Sequence, residues 1–447
     1  MAIGIFPGVV EKQTVIRHQK QPMPNWVVFI SGAMASLIVV WSFSFAGVPS
    51  DSGIPEPEAV PECTGAAHGY DPFHDPPEGT FYDDPEVGYT FGSKIREWDE
   101  KRKRWFELHP SFAVGAEGRV IMVTGSQPNP CRNPIGDHLL LRLFKNKVDY
   151  CRIHGCDVFY NNVLLQPEMF TFWAKYPAIR AAMVAHPEAE WIWWVDSDAA
   201  ITDMDFKLPL DRYRHHNLVI HGWRHVIVNE RSWTGLNAGV FLIRNCQWSL
   251  DLMALWAGMG PQSPDYDRWG ELQLSVFKDK IAPESDDQTA LAYIILQDPD
   301  QWTEKIYLEG EYYFEGYWVE IVGKLENVAE KYREIESGAR RLRRRRAEKV
   351  NEGYGALWEE YLKLEGAGHG TRGWRRPFIT HFTGCQPCSG NHNKAYDGNK
   401  CWDGMIKALN FADDQVLRSF GYAHAGLLNS SSVVPLPFDY PSSRIDP

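Results

Sequence analysis

The run Trp193-Trp-Val-Asp-Ser-Asp198 sets two carboxylates, Asp196 and Asp198, directly after an apolar stretch. Hard divalent ions take oxygen ligands, and two carboxylates leaving a sheet edge can hold one ion that keeps open positions for a diphosphate. By letters alone Asp203-Met-Asp205 matches as well. Context separates the pairs: Asp196 and Asp198 end a wholly apolar strand pattern, whereas Asp203 and Asp205 read as a polar turn. An ion with two carboxylates wants another ligand, and His381 in Ile379-Thr-His-Phe-Thr-Gly384 follows a short β-prone run in the same manner. Taken alone such a histidine is more often a hydrogen-bonded core residue, and the fold context turns the reading toward a ligand. Asp286-Asp287-Gln288 is the other concentrated acidic site, and a helix N-cap accounts for it as well as chemistry does.

These side chains need a sheet to carry them. Arg119-Val-Ile-Met-Val-Thr124 reads as a buried strand ending in the turn Gly125-Ser-Gln-Pro128, and Gly136 to His154 has helical apolar spacing. A second strand at Cys156–Tyr160, a helix over Trp173–His186 and the strand Trp191–Val195 continue the alternation, with further strands expected at Asn217–Gly222 and Gly239–Arg244 and a helix from Asp286 to Leu296. This order predicts an α/β domain on a mostly parallel sheet, with its ligand crevice at the carboxyl ends of the strands. From Lys324 to Leu364, Leu325, Val328, Tyr332, Ile335, Ala339 and Leu342 step by three and four, predicting one long amphipathic helix or a helical hairpin. It carries six arginines in the seven positions Arg340 to Arg346, a solvated face or a contact for an acidic partner or lipid head group.

With 447 residues, 44 % of them hydrophobic, the chain can bury a large core. Its net charge of −12 argues against nucleic acid as a partner. Trp26 to Ala46 contains no charge and is long enough to cross a bilayer; Lys12, Arg17 and Lys20 precede it, while Val48 to Ser93 has neither Lys nor Arg. The expected plan is a cytoplasmic tail (1–25), an anchor (26–46), a stem rich in proline and acid (47–93), a catalytic domain (94–323 and 371–447) and a charged helical insertion (324–370). Eight cysteines in a lumenal domain favour disulfides over zinc, without fixing their pairing, and Asn429-Ser-Ser is a glycan acceptor sequon.

The runs Trp193–Asp198, Trp233-Thr-Gly-Leu-Asn-Ala-Gly239, Arg244-Asn-Cys-Gln-Trp-Ser249, Asp286-Asp-Gln288 and His381-Phe-Thr-Gly-Cys-Gln-Pro-Cys388 resemble the plant α-1,6-glycosyltransferase family that decorates hemicelluloses. That family includes xyloglucan xylosyltransferases and galactomannan galactosyltransferases, and the resemblance covers about Asp75 to Tyr440. It implies a GT-A type nucleotide-sugar transferase fold, a Mn2+-dependent UDP-sugar donor and retention of anomeric configuration, and the anchor and its flanking charges add the expectation of a single-pass type II protein of the Golgi membrane. By the same resemblance Asp196, Asp198 and His381 are the metal ligands. Thr124, Gly125 and Gln127 match the turn near the uridine, Lys175 a basic residue near the donor, and Asn237 the polar residue facing the donor sugar. Asp196, Ser197 and Gly384 join that donor set. Asp286, Asp287 and Gln288 match the catalytic group around the reacting carbon, and His221 and Gly222 a segment lining the cleft.

Two departures choose a branch. The xylosyl pattern has His-Gly-Tyr-Trp where this chain has Glu315-Gly316-Tyr317-Trp318, and a lysine at Gln386; both changes touch the donor and acceptor cleft. The arginine-rich insertion, Phe81–Pro85, Glu311–Trp318 and Pro435–Phe438 resemble the galactomannan branch. The expected reaction is transfer of galactose from UDP-galactose to O6 of mannosyl residues in a β-1,4-mannan backbone, by front-face attack rather than double displacement through Asp286 or Asp287. Xylosyl transfer from UDP-xylose to a glucan is the alternative, and a non-catalytic scaffold in a Golgi synthase complex is an alternative of another class. A homodimer or a complex with a mannan synthase is a family-level expectation.

Overall fold

The computed structural model describes residues 79–343, 352–370, 373–429 and 432–436. The chain divides into two units, Met1–Phe73 and His74–Pro447, and every described residue belongs to the second. The tail, the anchor, most of the stem and Arg344 to Arg346 lie outside the described residues. Among the described residues no helix is long and apolar enough to cross a membrane.

Strands β1 (Val120–Gly125), β2 (Asp157–Asn161), β3 (Trp191–Val195), β5 (Leu218–Gly222), β6 (Leu236–Arg244) and β7 (Ile306–Glu309) form one sheet in the order β2-β1-β3-β6-β5-β7. All five residues of β3 are buried because it sits between two strands and under helices on both faces, as its unbroken apolar run requires. β1 pairs in parallel with β2 and β3, and β5 with β7, but β6 runs antiparallel to both neighbours. The expectation of a mostly parallel sheet therefore becomes a mixed sheet with one reversed strand. Residues 223–235, which join β5 to β6, hold only short helical turns and no crossover helix, and β6 folds back beside β5.

Helices α1 (Trp98–Leu108), α2 (Gly136–His154), α3 (Lys175–Ala185), α4 (Gln247–Ala257), α5 (Tyr266–Val276) and α6 (Asp287–Gln297) pack around this sheet. The insertion is a hairpin of α7 (Leu325–Gly338) and α8 (Glu352–Leu364), completed by α9 (Gly398–Ser419). The residues stepping by three and four behave as their spacing demands: Leu325, Val328, Tyr332 and Leu342 are buried in a second core with Tyr354, Trp358 and Leu362. Two strands outside the main sheet, β4 (Ala199–Ile201) and β8 (Ile379–His381), pair antiparallel.

Residues 79–93, the described part of the expected stem, pack onto the body. Phe81 is buried against Trp98, with ring centroids 4.9 Å apart, Phe91 N–H donates to Gln166, and Arg180 holds the carbonyls of Gly88 and Ser93. These aromatic anchors tie residues 79–93 to the body despite their acidic, proline-bearing composition. The disulfides are Cys131–Cys388, Cys151–Cys156 and Cys385–Cys401, so Cys385 and Cys388 take different partners, and Cys246 is free.

Candidate active site

β3 ends at Val195, and the Asp196 N–H donates to the Gly239 carbonyl of β6 at 2.8 Å, fixing where the acidic turn begins. The Trp194 indole donates to Asp196 Oδ1 at 2.6 Å. The chain then enters β4, whose Ala199 lies opposite His381 on β8. This pairing joins residues 185 positions apart in sequence into one cluster: His381 Nε2 stands 3.3 Å from Asp198 Oδ1 and 3.7 Å from Asp196 Oδ2. One ligand atom from each of the three residues falls within 4.8 Å of the others. Two carboxylates and an imidazole at this spacing fit a divalent cation.

Two further observations support that fit. His381 Nδ1 is 3.0 Å from Glu315 Oε1, so a neutral ring that donates there turns its Nε2 lone pair toward the carboxylates. Gly239 supplies room: a Cβ on it would stand 2.2 Å from His381 Cε1 and 2.9 Å from Asp196 Oδ2. Burial pulls the His381 pKa down, but Asp198 and Glu315 overcome it and lift the ring to about 10.

Beside the cluster, Lys175 at the start of α3 is buried. Its Nζ lies 2.9 Å from Asp287 Oδ2 and 3.4 Å from Asp196 Oδ1, and it donates to the Ala238 carbonyl at 2.9 Å. Burial pushes Asp287 up to about 6 against the opposing pull of Lys175. Asp286 is the N-cap of α6, accepting from Thr289 N–H and from Thr289 Oγ1, each at 2.7 Å, and it pairs with Lys280. Gln288 donates to the Trp233 carbonyl at 2.9 Å, and Asn237 accepts from Gly239 N–H at 2.8 Å. All four matched polar residues therefore border β6 and the start of α6.

A cleft of about 600 Å3 opens from this cluster, lined by Gly125, Gln127, Lys175, Asp196, Ser197 and Asp198. Thr124 lies behind it, buried and with no hydrogen-bond partner for its hydroxyl among the described residues. Gly125 is held close to β2, where a Cβ would stand 2.1 Å from the Asn161 carbonyl. The cleft also takes Gln386 and Cys388 from one side and the exposed rings of Phe170 and Phe172 from another. Neither ring was singled out in the sequence, since aromatics are usually core.

The remaining expected residues are placed as follows. His221 is buried edge-on to Trp223, 4.7 Å between centroids, and Gly222 with Trp223 lines a separate groove beside Gly310 and Glu311. Glu315 is bonded to His381, and the Gly316 carbonyl accepts from the His381 N–H at 2.8 Å. Trp318 is buried, stacked on Phe382. Gly384 takes a φ of +78°, in the loop closed by Tyr396 and Asn393. Asn429 is exposed. The rival pair Asp203 and Asp205 is bound by Arg376, at 3.8 and 2.8 Å, and so is already occupied by a cation. Two polar residues the sequence reading passed over, Asn146 and Lys147 of α2, turn inward beneath the acidic turn.

A sequence profile for galactosyl transferases of the GMA12/MNN10 family matches residues 116–392, a span that holds every residue of the cluster. The chain belongs to this family. It is 58 % identical to "Glycosyltransferase 6" of Arabidopsis thaliana, over 98 % of this chain and 99 % of the relative. It is 56 % identical to "Galactomannan galactosyltransferase 1" of Cyamopsis tetragonoloba, over 94 % and 98 %. Against "Probable xyloglucan 6-xylosyltransferase 5" of Arabidopsis thaliana the identity is 42 %, over 81 % and 73 %. Among solved structures, the galactosyltransferase LgtC with donor and acceptor sugar analogs covers 64 % of this chain and 95 % of its own, at 9 % identity and a TM-score of 0.27. As a family member the chain is a glycosyltransferase, and its Asp196, Asp198 and His381 suit a divalent metal.

Proposed function

We propose that this glycosyltransferase moves galactose from UDP-galactose to O6 of mannosyl residues in a β-1,4-mannan backbone, with retention, on a GT-A type fold that uses Mn2+. The convergence of Asp196, Asp198 and His381 beside the Lys175–Asp287 pair, at the mouth of a cleft, carries the transferase part of this reading. The choice of sugar and acceptor is supported by 56 % identity to a relative named for galactomannan, against 42 % to one named for xyloglucan xylosylation.

When bound, the ion would supply Lewis-acid stabilisation of the charge that develops on the departing diphosphate. Asp196, Asp198 and His381 Nε2 would hold it, with Glu315 keeping the imidazole in the required tautomer. Lys175 adds a fixed positive charge at the same end of the cleft. Neither carboxylate of the Asp286-Asp287 pair stands free as a nucleophile: Asp286 is spent on capping α6 and on Lys280, and Asp287 is buried against Lys175. This favours front-face attack, in which a leaving phosphate oxygen takes the acceptor hydroxyl proton. Asn237 and Gln288, anchored by the β6 and Trp233 backbone, are placed to orient hydroxyl groups.

We also propose a Golgi lumen as the site of action, with 26–46 as the anchor. Three disulfides favour an oxidising compartment, and the exposed Asn429 suits a glycan. Donor profiling of the purified protein with UDP-galactose and UDP-xylose, over mannan and glucan oligosaccharides with Mn2+, tests the proposal. Galactosylated mannan is the expected product. Xylosylated glucan would overturn the assignment of sugars, and absence of turnover with any pair would support a scaffold instead.

A further inference from the structure

Along α2, Leu139, Leu143 and Tyr150 point into the core at helical intervals, and the slots between Leu143 and Tyr150 are filled by Asn146 and Lys147. Both are buried, Lys147 to 1 % exposure, although apolar side chains would satisfy packing at lower desolvation cost. Each is spent on backbone groups of one short segment. Asn146 grips the far end of β4: its amide nitrogen donates to the Ile201 carbonyl at 2.9 Å and its oxygen accepts from the Ile201 N–H at 2.8 Å. Lys147 grips the near end, with Nζ 2.7 Å from the Ala199 carbonyl oxygen and 3.4 Å from that of Ser197. The other edge of β4 is the one that pairs with β8 and sets Ala199 opposite His381.

We propose that Asn146 and Lys147 are positioning residues for the metal site, clamping the backbone from Ser197 to Ile201 so that Asp196, Asp198 and, through the β4–β8 pairing, His381 stand in ligating register before the cation arrives. The inference rests on the metal-site reading given above. Among the described residues, the other holds on this turn fall on different atoms: Phe382 N–H donates to the Asp198 carbonyl and Ala199 N–H to the Asp196 carbonyl, each at 3.1 Å, while Lys147 takes the Ser197 and Ala199 carbonyls. Burial pushes the Lys147 amine down to about 7, with Asp198 and Asp196 pulling it up, and the amine has N–H groups to donate in either protonation state.

A purely electrostatic role and a positioning role predict opposite signs. Removing a cation near two carboxylates tightens the binding of a second cation, whereas releasing the turn that carries them weakens it. The test is Mn2+ titration of the full chain without nucleotide sugar, read by the loss of free-ion paramagnetic signal, on wild type, Lys147→Met and Asn146→Ala, each beside a metal-free thermal melt. The expected result is that each substitution raises the Mn2+ dissociation constant by about 10-fold, the lower end of losses seen for groups that orient ligands. An unchanged or tighter constant in folded Lys147→Met overturns the proposal; if that variant does not fold, an unchanged constant in Asn146→Ala overturns it. A wild-type chain with no affinity for Mn2+ would instead sink the metal reading, and the positioning role with it.

Discussion

Glu315 Oε1 stands 3.0 Å from His381 Nδ1, and both side chains are buried. The position expected to differ from the xylosyl pattern is therefore one that holds the ring of His381, a proposed metal ligand. Glu315→Ala should leave His381 free to rotate and lower Mn2+ affinity by about 10- to 100-fold. Mn2+ titration of the variant checks this, and an unchanged affinity would show that His381 needs no orienting partner.

Gly239 has no tolerance for a side chain, because a Cβ would strike His381 and Asp196 together. Gly239→Ala should abolish measurable sugar transfer, a loss of at least about 100-fold expected from displacing reacting geometry by an ångström. Gly92, with nothing within 4 Å of its Cβ position, provides the control. Equal rates in Gly239→Ala and wild type would refute the cradle.

Asp287 neutralises buried Lys175. Asp287→Asn keeps the shape but leaves the ammonium with Asp196 as its remaining carboxylate, and should cost about 3 kcal/mol of stability, measured by denaturant unfolding. Under the front-face mechanism, the intact mass of wild-type protein incubated with donor alone shows no added hexose. An adduct at Asp287 would establish double displacement.

Asp413 of α9 lies 2.9 Å from Lys145 of α2 and 3.0 Å from His424. Burial raises its pKa, but the hydrogen bonds from His424 and Lys145 win and hold it at about 2. A carboxylate depressed in the folded state stabilises above its unfolded pKa of about 3.9 and loses that contribution as pH falls through the folded value. After allowance for solvent screening, wild type should exceed Asp413→Asn by about 1 kcal/mol at pH 6, a gap closing between about pH 4 and 2. A constant gap across that window would mean that Asp413 acts by packing alone.

Cys131–Cys388 fastens the loop after β1 to the loop after β8, and Cys388 lines the cleft. Replacing both cysteines by serine should cost about 3 kcal/mol and raise the donor KM more than it lowers kcat. Thermal unfolding and steady-state kinetics read the two effects separately, and an unaltered KM would leave the bridge a purely stabilising role.

Much of the site is local information. Asp196 and Asp198 follow Trp191–Val195, a short, aromatic-rich apolar run that suits a strand covered on both faces, so the strand end beneath the carboxylates is legible in the sequence. The α7 heptad-like stepping likewise predicts its own buried face, because helical period is a property of neighbours in the chain. Tertiary structure decided what depends on distant partners. His381 reaches Asp198 through β4–β8 pairing, β6 is reversed because residues 223–235 fold into turns without a crossover helix, and Cys385 and Cys388 part company because their mates lie in α9 and in the loop after β1. Asn146 and Lys147, passed over in the sequence, hold the carbonyls of a strand some fifty residues away, a role set by packing that no local pattern encodes.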